Sequence, residues 1–555
     1  MHYRGLAALA ALLTLGMVPQ AASADDFSSC DGYEAPGRKT DGMTNGAWLW
    51  GLATATADIR PDSVILGKSG SEACDRALAN AALKSEFWLR RANLLQAKAV
   101  HALTIGYYDQ AMEALGHSDE IGKADPYFVA SLGLGNRAIR ALALNGLGRK
   151  EEALAEIEAI EKARPWSASM LRLASQLKFE VDEAGGAEAM HAILPLAPEN
   201  ALMLYWQSFV LGDLEKAIGY VPAITWELPK KRGGWTISGE LQHQLEMIEQ
   251  RAELAGSHSF ALAMLGRDAE AELVYREAIE DVVDVKAPPP DRGPGRPARK
   301  RDIEAWQNRL PFVLKAESSL DLWREATAFV RGVAAREPEE AFASYQSAPI
   351  ARLPIFPSVL GSLNLVTAEE AAAREQALDE YRKGVESERR KLFVLSGLSG
   401  RELLNALPRH LTEKMMPVMK RAGDGFFLSD TGLSKAREGK SDVWTVRFVH
   451  KYAPIHVVEE MAMFGAALTA LDQGQDSVLV LSRRSAELTT NVSGYYGGGS
   501  SYASGYEAQL RVQFVDSARL PPELAGMEWR AIPAKDIVDD LSARYRQSGG
   551  ITIAW

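Results

Sequence analysis

Three polar side chains near the C-terminus are the strongest candidates for chemistry. His450, His456 and Glu459 fall within one short stretch, and imidazole and carboxylate groups can act as general acids, general bases or metal ligands. The run from His456 to Glu460 begins like the H-x-x-E-H zinc helix but lacks its second histidine. A helix N-terminus beside a strand end explains these residues better than a zinc site. We therefore predict neither a metal ion nor another cofactor.

Two glycine-containing stretches match phosphate-binding patterns only in part. Gly67 to Ser69 follows an apolar run, but Asp62 stands where a phosphate loop needs its first glycine. Gly133 to Ala138 fits the dinucleotide-binding fingerprint, which requires a strand before it. Helical patterns surround it here, so packing glycines of a helix are the better interpretation. Neither stretch predicts a nucleotide site.

The chain offers few candidates for nucleophilic catalysis. It has no Gly-x-Ser-x-Gly elbow, and its two cysteines are Cys30 and Cys74. A caspase-like protease would need a cysteine in the C-terminal part, so that class is excluded unless its nucleophile has changed. In an oxidising compartment a cysteine pair favours a disulfide. Two unrelated buried thiols are the alternative.

The N-terminus predicts export. Arg4 precedes the apolar run from Leu6 to Val18, and the small residues Ala22 to Ala24 form a cleavage pattern. We expect a signal peptide over residues 1–24 and a periplasmic or otherwise exported chain without a transmembrane segment. Retention of the apolar run as an anchor is the alternative. The net charge of −11 argues against a nucleic-acid partner.

Helical repeats follow from about residue 86. In residues 134–165 small and apolar residues keep one helix face apolar around a turn at Gly148. The same spacing, a turn glycine followed five residues later by an alanine, recurs along the chain. The pairs are Gly106 with Ala111, Gly148 with Ala153, Gly212 with Ala217, and Gly266 with Ala271. This pattern resembles the tetratricopeptide repeat, whose period is ~34 residues.

After Gly423 the hydrophobic period changes from helical to two. Alternation around Val446 and around Leu510 predicts strands, the apolar run from Val478 to Leu481 predicts a central strand, and Ile455 to Gln473 predicts an amphipathic helix. A last helix from Ala534 to Tyr545 completes the order β-α-β-β-α. We expect a small α/β domain with the sheet on one side and two helices on the other.

This C-terminal part resembles a group of uncharacterised proteobacterial envelope proteins, many of them lipoproteins. The resemblance covers about 120 residues and rests on short segments. They are Gly425-Phe426 with Ser429 to Thr431, Val446 to Phe448, and the helix Glu459 to Gly474 running into Val478 to Arg484. The group's usual Arg-Ala-Ala reads Gly465-Ala466-Ala467 here, and its lipidated cysteine is missing. The group has no established chemistry to carry over.

The predicted fold class is mostly α, a tetratricopeptide-like α-solenoid followed by the small α/β domain. An early helix is expected over residues 47–59. The predicted regions are a signal peptide (1–24), an N-terminal region with the disulfide (25–85), the helical array (86–350) with a disordered basic, proline-rich loop (287–301), a connector with long helices (351–422), and the α/β domain (423–555).

Such an array predicts a non-catalytic scaffold or adaptor that binds a protein or peptide partner in the bacterial envelope. By resemblance to the repeat family, the partner-facing residues would be Asn93, Gln96, Asn145 and Trp206, although Trp206 would equally suit packing between helices. The alternative is an envelope enzyme whose site, between the array and the C-terminal domain, uses His450, His456 and Glu459. Convergence of these three side chains in one cleft would favour the enzyme.

Overall fold

The chain is mostly helical, with a small antiparallel sheet near its C-terminus, in a computed structural model. The structure describes residues 25–43, 46–48, 53–55, 61–210, 212–224, 237–293, 295–333, 400–417, 419, 431–439, 441–493, 499–520 and 528–547. The predicted signal peptide and residues 351–399 of the predicted connector lie outside these ranges. Within them, no helix has both the length and the apolar character that crossing a membrane requires.

Helices dominate the described chain up to residue 333. They are α1 (Asp25–Asp31), α2 (Gly67–Ala79), α3 (Trp88–Thr104), α4 (Tyr108–Gly122), α5 (Pro126–Val129), α6 (Leu132–Gly146), α7 (Lys150–Ala163), α8 (Ala168–Val181), α9 (Glu183–Ala192), α10 (Ala201–Val210), α11 (Leu214–Tyr220), α12 (Ile237–Met264), α13 (Asp268–Lys286) and α14 (Lys300–Val333). We call residues 88–333 the array. The loop predicted over 287–301 joins α13 to α14, and a hydrogen bond from the Arg292 amide to the Arg296 carbonyl closes it.

The four predicted turn glycines share one backbone geometry. Gly106, Gly148, Gly212 and Gly266 all have positive φ, between 75° and 81°. The amide after each glycine donates to the carbonyl five residues before it, as Arg149 N does to Leu144 O at 2.8 Å. This is the bond of a Schellman motif, which ends a helix and reverses the chain. The next helix then begins at once, and its predicted alanine is buried in every case.

The helices pack as antiparallel neighbours. Each of α3, α6, α8, α10 and α12 packs against the helix that follows its turn, and α3, α6 and α8 also pack in succession on one another. Glycine permits this closeness: a Cβ at Gly146 would lie 2.4 Å from the Tyr108 ring, and one at Gly135 would lie 2.6 Å from Gln96 Nε2. The glycines of the fingerprint-like run therefore include one that serves helix packing.

The expected helix over residues 47–59 is wrong where the structure describes it. Gly46–Trp48 forms β1 and Ala53–Ala55 forms β2, and the two pair antiparallel with Trp48 opposite Ala53. Glycine and threonine in this stretch weaken a helix, while threonine and tryptophan suit a strand. The helical spacing of the apolar residues was therefore misleading.

The C-terminal domain contains a five-stranded antiparallel sheet in the order β3-β4-β6-β5-β7. Its strands are β3 (Gly432–Arg437), β4 (Val443–His450), β5 (Ser477–Ser493), β6 (Gly499–Val515) and β7 (Ile532–Pro533). Ahead of it α15 spans Gly400–Ala406, and the domain's two helices are α16 (Ile455–Asp472) and α17 (Ala534–Gln547). The predicted order thus gains β3 before the first predicted strand and the short β7 before the last helix.

Helix α16 lies between the sheet and α8 of the array. Val446 and Phe448 of β4 and Val512 of β6 are fully buried and share an apolar cluster with α16. The opposite side of α16 contacts α8 of the array, so nearly every residue from 456 to 467 is buried. The helix predicted to be amphipathic is thus covered on both sides, and Glu459 and Glu460 lie in the interior.

Candidate functional site

The predicted disulfide is present. Cys30 and Cys74 are joined between α1 and α2, with an S–S distance of 2.09 Å, and both are completely buried. His101 lies beside them, with Nε2 2.8 Å from the Cys30 carbonyl oxygen. Among the described residues these three form one group of potential metal ligands, but the two sulfurs are already bonded to each other. The disulfide joins α1 to α2, and the His101 contact joins α1 to α3.

Asn93 and Gln96 lie one turn apart on α3. The Asn93 amide donates to Asp31 Oδ2 at 2.7 Å. Gln96 is buried, and its Nε2 donates to the Leu132 carbonyl and to Asn136 Oδ1, both at 2.9 Å. Both residues line a small cavity of about 50 Å³. The side-chain amide of Gln96 donates to groups inside the array, so it is not available to a partner. The side chain of Asn93 is half-buried.

Asn145 and Trp206 lie elsewhere in the array. The Asn145 amide donates to the Glu180 carbonyl at 3.2 Å, which joins α6 to α8. Trp206 is half-buried on α10, with its ring edge-on to Tyr205 and Phe209. The four residues therefore do not converge on one spot; only Asn93 and Gln96 share a cavity. Their binding of a partner stays a prediction.

Residues 400–411 lie against α3 and α6, and we call them the strap. Leu403 and Leu407 are buried in the same apolar cluster as Val100 of α3 and Leu134 of α6. At one end Gly400 approaches α3 so closely that an added Cβ would lie 2.6 Å from Thr104. At the other end the Leu411 amide donates to Ser131 Oγ at 3.0 Å. The surface of the array that Asn93 and Gln96 border is thus occupied by the chain itself.

A second contact joins the array to α16 through Glu459. Its Oε2 accepts from Ser167 Oγ at 2.8 Å, and from the amide and hydroxyl of Ser169 at 2.9 and 2.7 Å. Its Oε1 accepts from Ser485 Oγ at 2.8 Å and from Arg483. Five donors therefore surround one buried carboxylate. They include the Ser169 amide in the first turn of α8, where the helix dipole favours a negative charge.

These donors decide the ionisation of Glu459. Burial alone raises the pKa of a carboxyl group, but the Arg483 charge and the hydrogen bonds from Ser169 and Ser485 outweigh burial. The pKa of Glu459 is lowered to about 2. Such a carboxylate is a poor general base at neutral pH because it has almost no affinity for a proton. The contacts of Glu459 with Ser167 and Ser169 favour a structural role, in which the carboxylate holds α16 against the array.

Glu460 makes the neighbouring contact. Its Oε2 accepts from Arg164 Nη1 at 2.7 Å and from the Tyr545 hydroxyl at 2.6 Å, and its Oε1 accepts from Arg544 Nη1 at 3.1 Å. The Arg164 and Glu460 side chains are 3% and 0% exposed. Burial and the Glu460 carboxylate raise the pKa of the Tyr545 phenol well above its ordinary value, so the hydroxyl remains a donor. Arg164 belongs to the array, whereas Tyr545 and Arg544 belong to α17.

The three residues of the enzyme alternative do not form a hydrogen-bonded group. His450 Nδ1 accepts from the backbone amides of Tyr452 and Ala453 at 3.2 and 2.8 Å. The Glu459 carboxylate accepts hydrogen bonds from the five donors described above. His456 is 1% exposed, and neither of its ring nitrogens has a hydrogen-bond partner among the described residues. Burial and the Arg164 charge lower its pKa well below the ordinary value, so the ring is neutral.

Sequence reasoning missed the residues that surround the two glutamates. Arg164, Ser167 and Arg483 were not singled out, and Glu460 served only to exclude a zinc helix. One signal was available: Glu459 and Glu460 are adjacent in a helix whose other residues are mostly apolar. Because buried carboxylates require partners, such a pair indicates that another element with donors covers the helix.

Comparisons with family models, with curated proteins and with solved structures gave no match to this chain.

Proposed function

We propose that this protein is a non-catalytic scaffold or adaptor, exported to the bacterial envelope, that binds a peptide segment of a partner protein on its helical array. In this proposal the array is a tetratricopeptide-like solenoid, and residues 1–24 are a cleaved signal peptide that directs the chain to the periplasm. The C-terminal domain is grouped with the uncharacterised envelope proteins that it resembles.

The observation that carries the proposal is the strap. Helix α15 and the residues after it lie on α3 and α6, with Leu403 and Leu407 as apolar anchors four residues apart. This is the spacing by which a helical peptide docks in a groove between helices. The array surface thus already holds a peptide-like segment, although the segment belongs to the same chain. A partner segment with similar anchors would compete for the same surface.

Two further features support the proposal. The four Schellman turns, each followed by a buried alanine, repeat one helix–turn–helix geometry, as expected of a repeat array. The disulfide between Cys30 and Cys74 fits an oxidising compartment, since such bonds are rare in the cytosol. The enzyme alternative lacks comparable support, because no hydrogen bond joins His450, His456 and Glu459 among the described residues.

A labelled peptide tests the proposal directly. The probe is a fluorescent peptide with the sequence of residues 398–413, and the protein is the full mature chain carrying Leu403→Asp and Leu407→Asp. These substitutions weaken the strap's own apolar contact and leave the array residues unchanged. We expect the variant to bind the peptide at least about tenfold more tightly than the wild type does, because the intact strap competes. Fluorescence anisotropy measures the affinity.

The matched control is the same peptide with both leucines replaced by aspartate, which should not bind. Capture from envelope extract with the variant and the wild type then tests for a partner, which the variant should retain more strongly. Failure of the loosened protein to bind the leucine peptide would refute the array surface as a peptide site.

A further inference from the structure

A cavity of about 220 Å³ lies where the array, the strap and the C-terminal domain meet. Ser169 and Met170 of α8 form one wall, and residues 405–409 of the strap form another. The third wall consists of the start of α16, residues 485–487 of β5, and Tyr506 of β6. This cavity is separate from the smaller one beside Asn93, although both border the strap.

His456 lines this cavity and has unsatisfied hydrogen-bonding groups. It is the second residue of α16, it is buried, and its two ring nitrogens lack hydrogen-bond partners among the described residues. Asn405 is exposed, and the remaining polar side chains of the wall have partners. The hydroxyls of Ser169 and Ser485 donate to Glu459, and Arg409 pairs with Glu487 at 3.3 Å and lies over the Tyr506 ring.

An unsatisfied buried imidazole destabilises a fold, because its nitrogens lose their bonds to water without replacement. His450 provides the comparison within the same domain, since backbone amides satisfy its Nδ1. The unsatisfied ring of His456 lowers the stability of the free protein. A ligand in the cavity that accepted a hydrogen bond from this ring would explain why the histidine is present.

The walls and the volume define the class of ligand. A dry cavity of ~150 Å³ holds benzene, so this one accommodates about eight to ten non-hydrogen atoms. Met170, Leu407 and Ile455 offer apolar contact to the body of a ligand. The Arg409 guanidinium and the N-terminus of the 18-residue helix α16 favour a negative group. Glu487 opposes it, but that carboxylate is paired with Arg409 and partly exposed.

We propose that this cavity binds a small organic carboxylate with an apolar body, and that His456 and Arg409 hold its carboxylate group. The ring of His456 donates one N–H to the ligand. Because burial keeps the pKa of His456 low, the ring remains neutral and acts as a donor without adding a charge. The cavity shares residues 405–409 with the strap, so a partner that displaces the strap would open this site. Ligand binding is therefore tested on the wild-type chain with its strap in place, and the peptide test uses the loosened variant, so either proposal can fail alone.

Benzoate is the test probe, because it has an apolar ring and one carboxylate within the allowed size. Benzamide is its neutral control of the same shape. We expect isothermal titration calorimetry on the full mature chain to give at least about tenfold tighter binding of benzoate, the effect of one charge-assisted hydrogen bond. Benzoate, but not benzamide, should also shift the ¹⁵N resonances of the His456 ring in NMR spectra.

Two variants separate the roles. His456→Leu should abolish benzoate binding while keeping or raising the thermal midpoint of the free protein, because an unsatisfied polar group has been removed. Arg409→Gln should retain weak binding and lose the preference for benzoate over benzamide. If the cavity holds only water, benzoate and benzamide should bind equally and negligibly, and neither variant should change their binding. That result would overturn the proposal.

Discussion

Two of the contacts between the array and the C-terminal half of the chain differ in their chemistry. At α16 the contact centres on Glu459 and Glu460, which are buried and surrounded by donors from both sides. Under the strap the contact consists of two leucines and, at its end, one hydrogen bond from the Leu411 amide. One contact is directional and charged, and the other is apolar.

The difference shows which contact can be exchanged. We call the contact of Glu459 and Glu460 with the array the junction. A buried charge that loses its partner is strongly destabilising, so the junction allows only one arrangement of the array and the C-terminal domain. Apolar contact is non-directional and tolerates other residues of similar size. We therefore expect the junction to be permanent and the strap to be replaceable. Four substitutions or titrations test this contrast.

The largest effect is expected from Glu460→Gln. It leaves Arg164 buried without a carboxylate, and we expect a loss of about 3–5 kcal/mol in the free energy of unfolding. Denaturant unfolding followed by tryptophan fluorescence measures it. Glu152→Gln is the matched control, because Glu152 pairs with Arg149 on an exposed helix surface and its loss should leave stability nearly unchanged. Equal effects of the two substitutions would contradict a charged junction.

Acid should weaken the same junction through Glu459. Its pKa falls from the ordinary 4.5 to about 2 in the folded chain, so its contribution is complete above pH 4.5 and lost as the pH falls towards 2. The shift corresponds to about 3 kcal/mol.

The comparison protein for this titration is Glu459→Gln, which has no charge to lose at this position. The stability advantage of the wild type over this variant should shrink by about 3 kcal/mol between pH 6 and pH 2 in denaturant unfolding. An advantage that stays constant over this range would show that the carboxylate is not held in its charged form.

A smaller, local effect is expected at the strap. Leu403→Ala removes a buried side chain from the cluster with Val100 and Leu134, and such truncations cost about 2–3 kcal/mol. If the strap detaches as a unit, hydrogen exchange of its own amides should accelerate while the junction at α16 remains protected. Asn405→Ala, at an exposed position, is the control. Simultaneous loss of protection at the strap and at α16 would argue against a replaceable strap.

The smallest effect should come from Trp166→Phe. Trp166 Nε1 donates to Asp540 Oδ2 at 2.8 Å at the partly buried edge of the junction. Asp540 keeps its pair with Arg544 after the substitution, so no charge is left alone. We expect a loss of about 1 kcal/mol by denaturant unfolding. A loss as large as that of Glu460→Gln would mean that the edge of the junction matters as much as its charged centre.

Local features of the fold were predictable from the sequence because they depend on neighbouring residues. A turn glycine followed by a small residue five positions later predicts the positive φ at Gly148 and the close approach at Ala153. Alternation of period two predicted the strand around Val446 in the same way. The disulfide could be predicted because only two cysteines exist.

Contacts between distant segments could not be predicted in this way. The sequence gives no indication that Arg164 meets Glu460, because 296 residues separate them. The adjacent Glu459 and Glu460 of α16 indicate that donors cover them, but the sequence does not show which elements supply these donors. The strap was likewise missed, since Leu403 and Leu407 fit any amphipathic helix.

The separation of Arg164 from Glu460 also has a consequence for biosynthesis. A ribosome adding ~5–20 residues per second needs roughly 15 to 60 s to make the intervening chain. During that interval the emerging N-terminal half has Arg164 and Ser167 without the carboxylates that later cover them. Its final stabilisation must therefore follow completion of translation, and truncated chains that end before α16 should be preferred substrates for proteases and chaperones.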